Sequence, residues 1–152
     1  MSRVKLVLSI VVLSLFFMIV ADYPNTITLE LGVFSGSNWD VPSGESYKII
    51  DGAIERFEKK FPGIKVKYEN GIMKSDYSSW LSDKIVQGKE PDVFMVLDDD
   101  FNTLSSIGAL ANIDSYMSHD EMFSSKDYYS SVLKAGTLSK HQYALPYECD
   151  PT

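Results

Sequence analysis

An α/β lobe built on a parallel sheet is the fold class this sequence predicts, and three observations carry it. Strand-like and helix-like apolar patterns alternate along the chain, in the order strand, helix, strand, helix, strand, helix, which is the order of βαβ units with helices on both sheet faces. The helical patterns stop at Pro62-Gly63, Gly88 and Gly108, residues that end helices because proline cannot continue one and glycine suits the exit. The 152 residues are 45% hydrophobic and 12% aromatic, enough apolar material for one packed core.

Each element has its own signal. Thr26 to Phe34 (TITLELGVF) alternates and then turns apolar, as a strand does. Ser35 to Gly44 (SGSNWDVPSG) is rich in Gly, Ser, Asn and Pro and reads as a loop. Ile50, Ile54, Phe57 and Phe61 recur at helical spacing and share one face. Ile64 to Tyr68 (IKVKY) alternates strictly, with Ile64, Val66 and Tyr68 inward. Tyr77, Trp80, Leu81 and Ile85 mark a second helix, with Ser75 or Asp76 as its cap. Val93 to Leu97 (VFMVL) is an unbroken apolar run, expected as a strand buried on both faces. A short helix is expected over Phe101 to Ile107, then an irregular packed stretch through Ala109, Leu110 and Ile113. A helix over Lys126 to Leu138 and a last strand over Gln142 to Leu145 complete the reading.

Residues 1–21 stand apart. Arg3 and Lys5 precede the run Leu6 to Ala21 (LVLSIVVLSLFFMIVA), interrupted only by Ser9 and Ser14. A basic start followed by an apolar run is an export signal, and this one is intermediate in length between a signal-peptide core and a full membrane span. The run is expected to act either as a signal peptide cleaved near Ala21 or as an apolar anchor helix through Leu6 to Ala21. In both cases the remainder lies outside the cytoplasm, anchored at the extracellular face of the cell membrane or secreted. Residues 22–25 form a short spacer and residues 26–152 the lobe.

Net charge is −7, and the lysines and arginines form no run beyond Lys59-Lys60. That excludes nucleic acid, whose binding needs a concentrated basic surface. Cys149 is the single cysteine, so there is no intrachain disulfide, and no cysteine sits just after the apolar run to carry a lipid. His119 and His141 stand far apart without ligand-spaced partners, which supports neither a metal site nor a catalytic triad. No phosphate-cradling glycine loop is present, and no cofactor is implied.

In parallel sheets, ligands bind beyond the carboxyl ends of the strands. Two polar segments fall there, Ser35 to Asp40 and Asp98-Asp99-Asp100. Calcium takes roughly six to eight oxygens, and three adjacent residues cannot all aim at one ion. One aspartate, Asp99 or Asp100, is expected to cap the helix that follows, leaving another free to accept hydrogen bonds from ligand hydroxyls. Trp39 either stacks on the apolar face of a sugar ring, with Ser37 and Asn38 bonding its hydroxyls, or folds back onto the core.

Four motifs, FEKKFPGIKVKY (Phe57 to Tyr68), EPDVFMVLDDD (Glu90 to Asp100), IGALANID (Ile107 to Asp114) and YALPYECDPT (Tyr143 to Thr152), occur in order at familiar intervals. Together they resemble the amino-terminal part of an extracellular solute-binding protein of the sugar-binding type, the receptor of an ABC importer. The resemblance covers nearly everything after Asn25. It implies one lobe of a periplasmic-binding-protein-like clamp that captures a sugar or oligosaccharide and hands it to a membrane permease, and it implies no enzyme. Against the family member that binds maltose, Asp99 falls on an aspartate that bonds sugar hydroxyls and Asp150 on a sugar-binding glutamate. An aromatic stacking residue of that relative falls on Val96 here, and Trp39 or Tyr147 stands as its replacement. The resemblance thus implies ligand contacts from Ser37, Asn38, Trp39, Asp98, Asp99, Tyr147 and Asp150.

Family members run much longer. The expectation is an amino-terminal lobe truncated before the second lobe, weak or inactive as a receptor alone. One alternative is a secreted thiamin-degrading type of enzyme on the same fold using Cys149, although Glu148 and Asp150 beside it oppose a thiolate. Another is a membrane-anchored lobe acting only in protein contacts.

Overall fold

A computed structural model describes residues 26–35 and 46–148. The run Leu6 to Ala21 and the candidate residues Ser37, Asn38, Trp39, Cys149 and Asp150 lie outside the described residues. β1 (Ile27–Gly32) is followed by α1 (Ser46–Lys60), β2 (Ile64–Tyr68), α2 (Lys74–Val86), β3 (Val93–Phe94) and α3 (Asp98–Ser106). Then come α4 (Asp114–His119), a 3₁₀ turn (Ser125–Asp127), α5 (Ser130–Ala135), β4 (Thr137–Leu138) and β5 (His141–Gln142). The first three strands form a sheet in the order β2-β1-β3. Both pairings are parallel, Ile27 opposite Ile64 through Leu31 opposite Tyr68, and Leu31 opposite Val93. The α/β expectation therefore holds for the described residues.

Successive strand residues point to opposite faces, and the two faces are filled unequally. Gly32 turns toward Tyr77 of α2, and Phe34 meets the Tyr77 ring edge-on at 5.3 Å. Phe34, Ile72, Tyr77, Leu81, Leu104 and Leu110 form the buried cluster on that face. Tyr77 is fully buried, and its hydroxyl lies 3.0 Å from the Gly32 carbonyl and 2.9 Å from that of Met95. It ties the exits of β1 and β3 together. Burial pushes the Tyr77 pKa up, so the hydroxyl stays protonated.

The other face carries α1, whose Asp51 accepts a 2.7 Å bond from the Tyr68 hydroxyl. Here Val33 and Ile50 are buried, but Ile49 is 62% exposed and Val93 58%. Between α1 and β3 runs an open apolar trough of about 720 Å³.

Several local expectations are corrected. The run Val93 to Leu97 is a strand only over Val93–Phe94 and is not buried on both faces. β3 is an edge strand among the described residues. Beyond it, the Met95 N–H still reaches the Gly32 carbonyl at 2.9 Å, but the Met95 carbonyl goes to Tyr77 instead of a ladder, and the chain turns into α3. α2 starts at Lys74 with Met73 at its N-cap and no side-chain cap bond, so Ser75 and Asp76 sit inside its first turn. The helix expected over Lys126 to Leu138 is a 3₁₀ turn, α5 and then β4. Tyr129 is the N-cap between the two short helices, with an extended backbone. The last strand is His141–Gln142, paired antiparallel to β4, and Tyr143 to Leu145 is irregular. The helix α4 was not expected.

Candidate functional site

Asp98, Asp99 and Asp100 occupy the first turn of α3, whose N-cap is Leu97, with no side-chain cap bond. The expected aspartate cap is thus corrected. The helix begins earlier than Phe101, so the three carboxylates lie in its opening turn. A helix N-terminus carries unpaired N–H groups and a partial positive charge, which offsets the mutual repulsion of three adjacent carboxylates. They also diverge. Asp100 accepts a 2.6 Å bond from Ser78 Oγ on α2, Asp98 faces a hollow, and Asp99 is exposed and is not among the residues lining that hollow.

The hollow, about 360 Å³, lies at the carboxyl ends of β1 and β3. One wall is Phe34, Met95, Val96 and Asp98, with Phe101 and Asn102 of α3. The second wall, from later in the chain, includes Gly136 and Thr137 with Ala144 to Glu148. Asp98 and Tyr147, more than forty residues apart in the chain, are thereby brought to one cleft. Tyr147 is 59% exposed and lines the cleft. Asn102 and Glu148 line the cleft too; neither was among the expected contacts, although Glu148 lies within the Tyr143 to Thr152 motif that carries the resemblance.

The second wall is held by a polar clasp. Asp114, at the start of α4, accepts the Gln142 N–H at 2.9 Å with one oxygen and lies 2.7 Å from His141 Nδ1 with the other. The Gln142 carbonyl accepts the Ile113 N–H at 2.9 Å. Gln142 is buried, and its Nε2 donates to the Leu133 and Ala144 carbonyls at 2.9 and 2.6 Å. The Gly136 carbonyl accepts the Tyr143 N–H at 2.9 Å. The Gln142 N–H, then His141, hold the Asp114 carboxyl below its ordinary pKa. His141, which lacked any partner at the level of sequence, belongs to this clasp.

Among the described residues, no group of three His, Cys, Asp or Glu side chains is placed to hold a metal ion, and no helix is long and apolar enough to cross a membrane. Every buried polar side-chain atom among them has a hydrogen-bond partner.

The cleft lies at the carboxyl ends of a parallel sheet, where α/β lobes of this architecture place their ligands, and its lining holds both a carboxylate and an aromatic ring. The chain belongs to the bacterial extracellular solute-binding protein family, whose model matches residues 42–152. Among solved structures it is similar to the ABC substrate-binding protein Lmo0181 from Listeria monocytogenes in complex with cycloalternan. That match has 26% identity and a TM-score of 0.66, over 77% of this chain and 28% of that one. The sugar-binding protein MalE from Xanthomonas citri shares the fold at 18% identity and a TM-score of 0.67, covering 78% of this chain and 28% of its own. The GacH receptor of Streptomyces glaucescens, known unliganded and in complex with acarbose, shares it at 20% identity and a TM-score of 0.65, covering 80% and 29%. The chain thus spans under a third of the length of each. No curated protein matches it significantly.

Proposed function

We propose that this chain is the amino-terminal lobe of an extracellular receptor that captures a sugar or oligosaccharide and delivers it to the permease of an ABC importer. The observation that carries the reading is the strand-end cleft that pairs Asp98 with Tyr147. A carboxylate accepts hydrogen bonds from sugar hydroxyls, and an aromatic face covers the apolar side of a pyranose ring. Asp99 stands beside the cleft in the same helical turn. Ser37, Asn38, Trp39 and Asp150 complete the proposed contact set. Residues 1–21 act as signal peptide or anchor, residues 22–25 as spacer and residues 26–152 as the lobe. The receptor works outside the cytoplasm.

The open trough beside Val93 and Ile49 supports a two-lobed receptor. Exposed apolar area of this kind is normally covered, and strands returning from a second lobe would cover it.

The test is calorimetric titration with maltotriose and other neutral oligosaccharides, on the chain alone and joined to a second lobe. Saturable binding is expected in the joined form. Charge-assisted hydrogen bonds are worth about 1.5–3 kcal/mol each, so Asp98→Ala and Asp99→Ala are expected to weaken it roughly tenfold or more. If the joined, folded protein binds none of these oligosaccharides, or if both variants bind as the parent does, the reading fails.

A further inference from the structure

Asn70-Gly71 sits in the irregular segment between Tyr68, which ends β2, and Ile72. Both residues are exposed. Gly71 has φ +86°, a conformation that favours glycine, and nothing lies within 4 Å of where its Cβ would be. An asparagine followed by an unbranched, uncrowded glycine is the arrangement in which the next backbone nitrogen most easily reaches the asparagine carboxamide. Here that nitrogen is occupied: the Gly71 N–H donates to the Tyr47 hydroxyl at 2.7 Å.

We infer that Asn70 is a deamidation site held in check by the hydrogen bond from Gly71 to Tyr47. The reaction is a substitution without redox change. Gly71 N loses its proton to solvent base and bonds to Asn70 Cγ. Nδ2 takes a proton from solvent, the Cγ–Nδ2 bond breaks and ammonia leaves, giving a succinimide. Water then opens one of the two imide carbonyls to yield aspartate or isoaspartate. While Tyr47 accepts the Gly71 N–H, both the deprotonation and the turn of the nitrogen toward Cγ require that bond to break first.

The guard exists only in the folded lobe. Tyr47 belongs to α1, and its ring stacks on Tyr68 of β2 with centroids 5.6 Å apart and planes at 14°. Tyr68 is fixed in turn by its bond to Asp51. That bond pushes the Tyr68 pKa up to about 12, so the support persists in the mildly alkaline range where deamidation is fast. The site also matters for the cleft. The Ile72 carbonyl, two residues on, accepts both the N–H and the hydroxyl of Ser35, at 2.6 and 2.9 Å. A new carboxylate, or the longer isoaspartyl backbone, at position 70 would disturb that anchor of the β1 exit. The segment beginning there carries Ser37, Asn38 and Trp39. The chemistry itself does not depend on the sugar-binding reading.

The experiment is timed incubation of the folded chain at mildly alkaline pH, followed by trypsin and mass spectrometry of the peptide Tyr68–Lys74. Amide-to-acid conversion and isoaspartyl fragments at position 70 are the readouts. The folded chain is expected to react more slowly than the free synthetic peptide of the same residues. Tyr47→Phe, which keeps the ring stack and removes the acceptor, is expected to speed the reaction roughly three- to tenfold, the factor one net hydrogen bond corresponds to. Equal rates in Tyr47→Phe and wild type would overturn the proposal. So would a folded chain that reacts as fast as the peptide, a comparison that needs no variant to fold.

Discussion

Gly136→Ala probes the seating of the second cleft wall directly. Gly136 has φ −84° and ψ 18°, values that alanine adopts without strain, so any cost is one of contact. A Cβ at this position would collide with the Ala144 carbonyl oxygen and lie 2.8 Å from Gln142 Nε2. Neither can yield freely. Ala144 is backbone, and Gln142 is a buried side chain bonded to two carbonyls. The segment must therefore move away from Gly136, which threatens the bond from the Tyr143 N–H and the weaker 3.3 Å bond from that of Ala144. Overpacking costs about 1–3 kcal/mol, and each strained hydrogen bond about 1 kcal/mol more. Replacing glycine returns about 0.4–1 kcal/mol through the unfolded chain. The net expectation is a loss of about 2–4 kcal/mol, a large share of a typical domain's stability. Urea unfolding measures it, with Gly63→Ala as control. Gly63 has open space around it, and its variant should match the parent or exceed it by up to about 1 kcal/mol. A Gly136→Ala protein as stable as the control would refute the reasoning, since Ala144 to Glu148 would then not rest on Gly136.

Two further outcomes follow from the same contacts. Tyr77→Phe keeps the ring but strips the hydroxyl from between the Gly32 and Met95 carbonyls. The Gly32 carbonyl retains the Met95 N–H, so chiefly one part-buried acceptor, the Met95 carbonyl, is orphaned, and a loss of about 1–2 kcal/mol is expected in chemical denaturation; an unchanged midpoint would deny the weld between β1 and β3. Asp114 governs part of the acid limb. Its carboxyl is held below the ordinary value in the folded state, so the unfolded chain takes up the proton first as pH falls. The stability it contributes is therefore present above the ordinary aspartate range and lost as pH drops through its depressed folded value. Asp114→Asn should lower stability near neutrality and flatten the decline below about pH 4, read as unfolding free energy against pH. A variant that keeps the parent's full acid slope would show that other carboxylates carry it.

The sequence by itself determined the order of elements where periodicity was long and punctuated. α1 and β2 announce themselves through Ile50, Ile54 and Phe57, and through the strict alternation of Ile64 to Tyr68, because one buried face imposes its period on the residues that fill it. It also pointed to Asp98 to Asp100 as the place to look for a site, since a parallel sheet places its ligand at the strand ends, and Asp98 does line a cleft there. Family membership was legible too, because four motifs in order constrain the chain more than any one alone. The tertiary structure decided what depends on neighbours distant in sequence. Val93 to Leu97 reads as a doubly buried strand, yet β3 is an edge among the described residues, and the Met95 carbonyl is claimed by Tyr77. No local pattern encodes which partner a carbonyl will find. Asp99 and Asp100 look like caps, but α3 starts at Asp98, and Ser78 claims Asp100. Asp114 and His141 meet across 27 residues, and Asp98 and Tyr147 line one cleft. Such meetings are set by the closure of the chain around its core, and periodicity, which reports only on near neighbours, is silent about them.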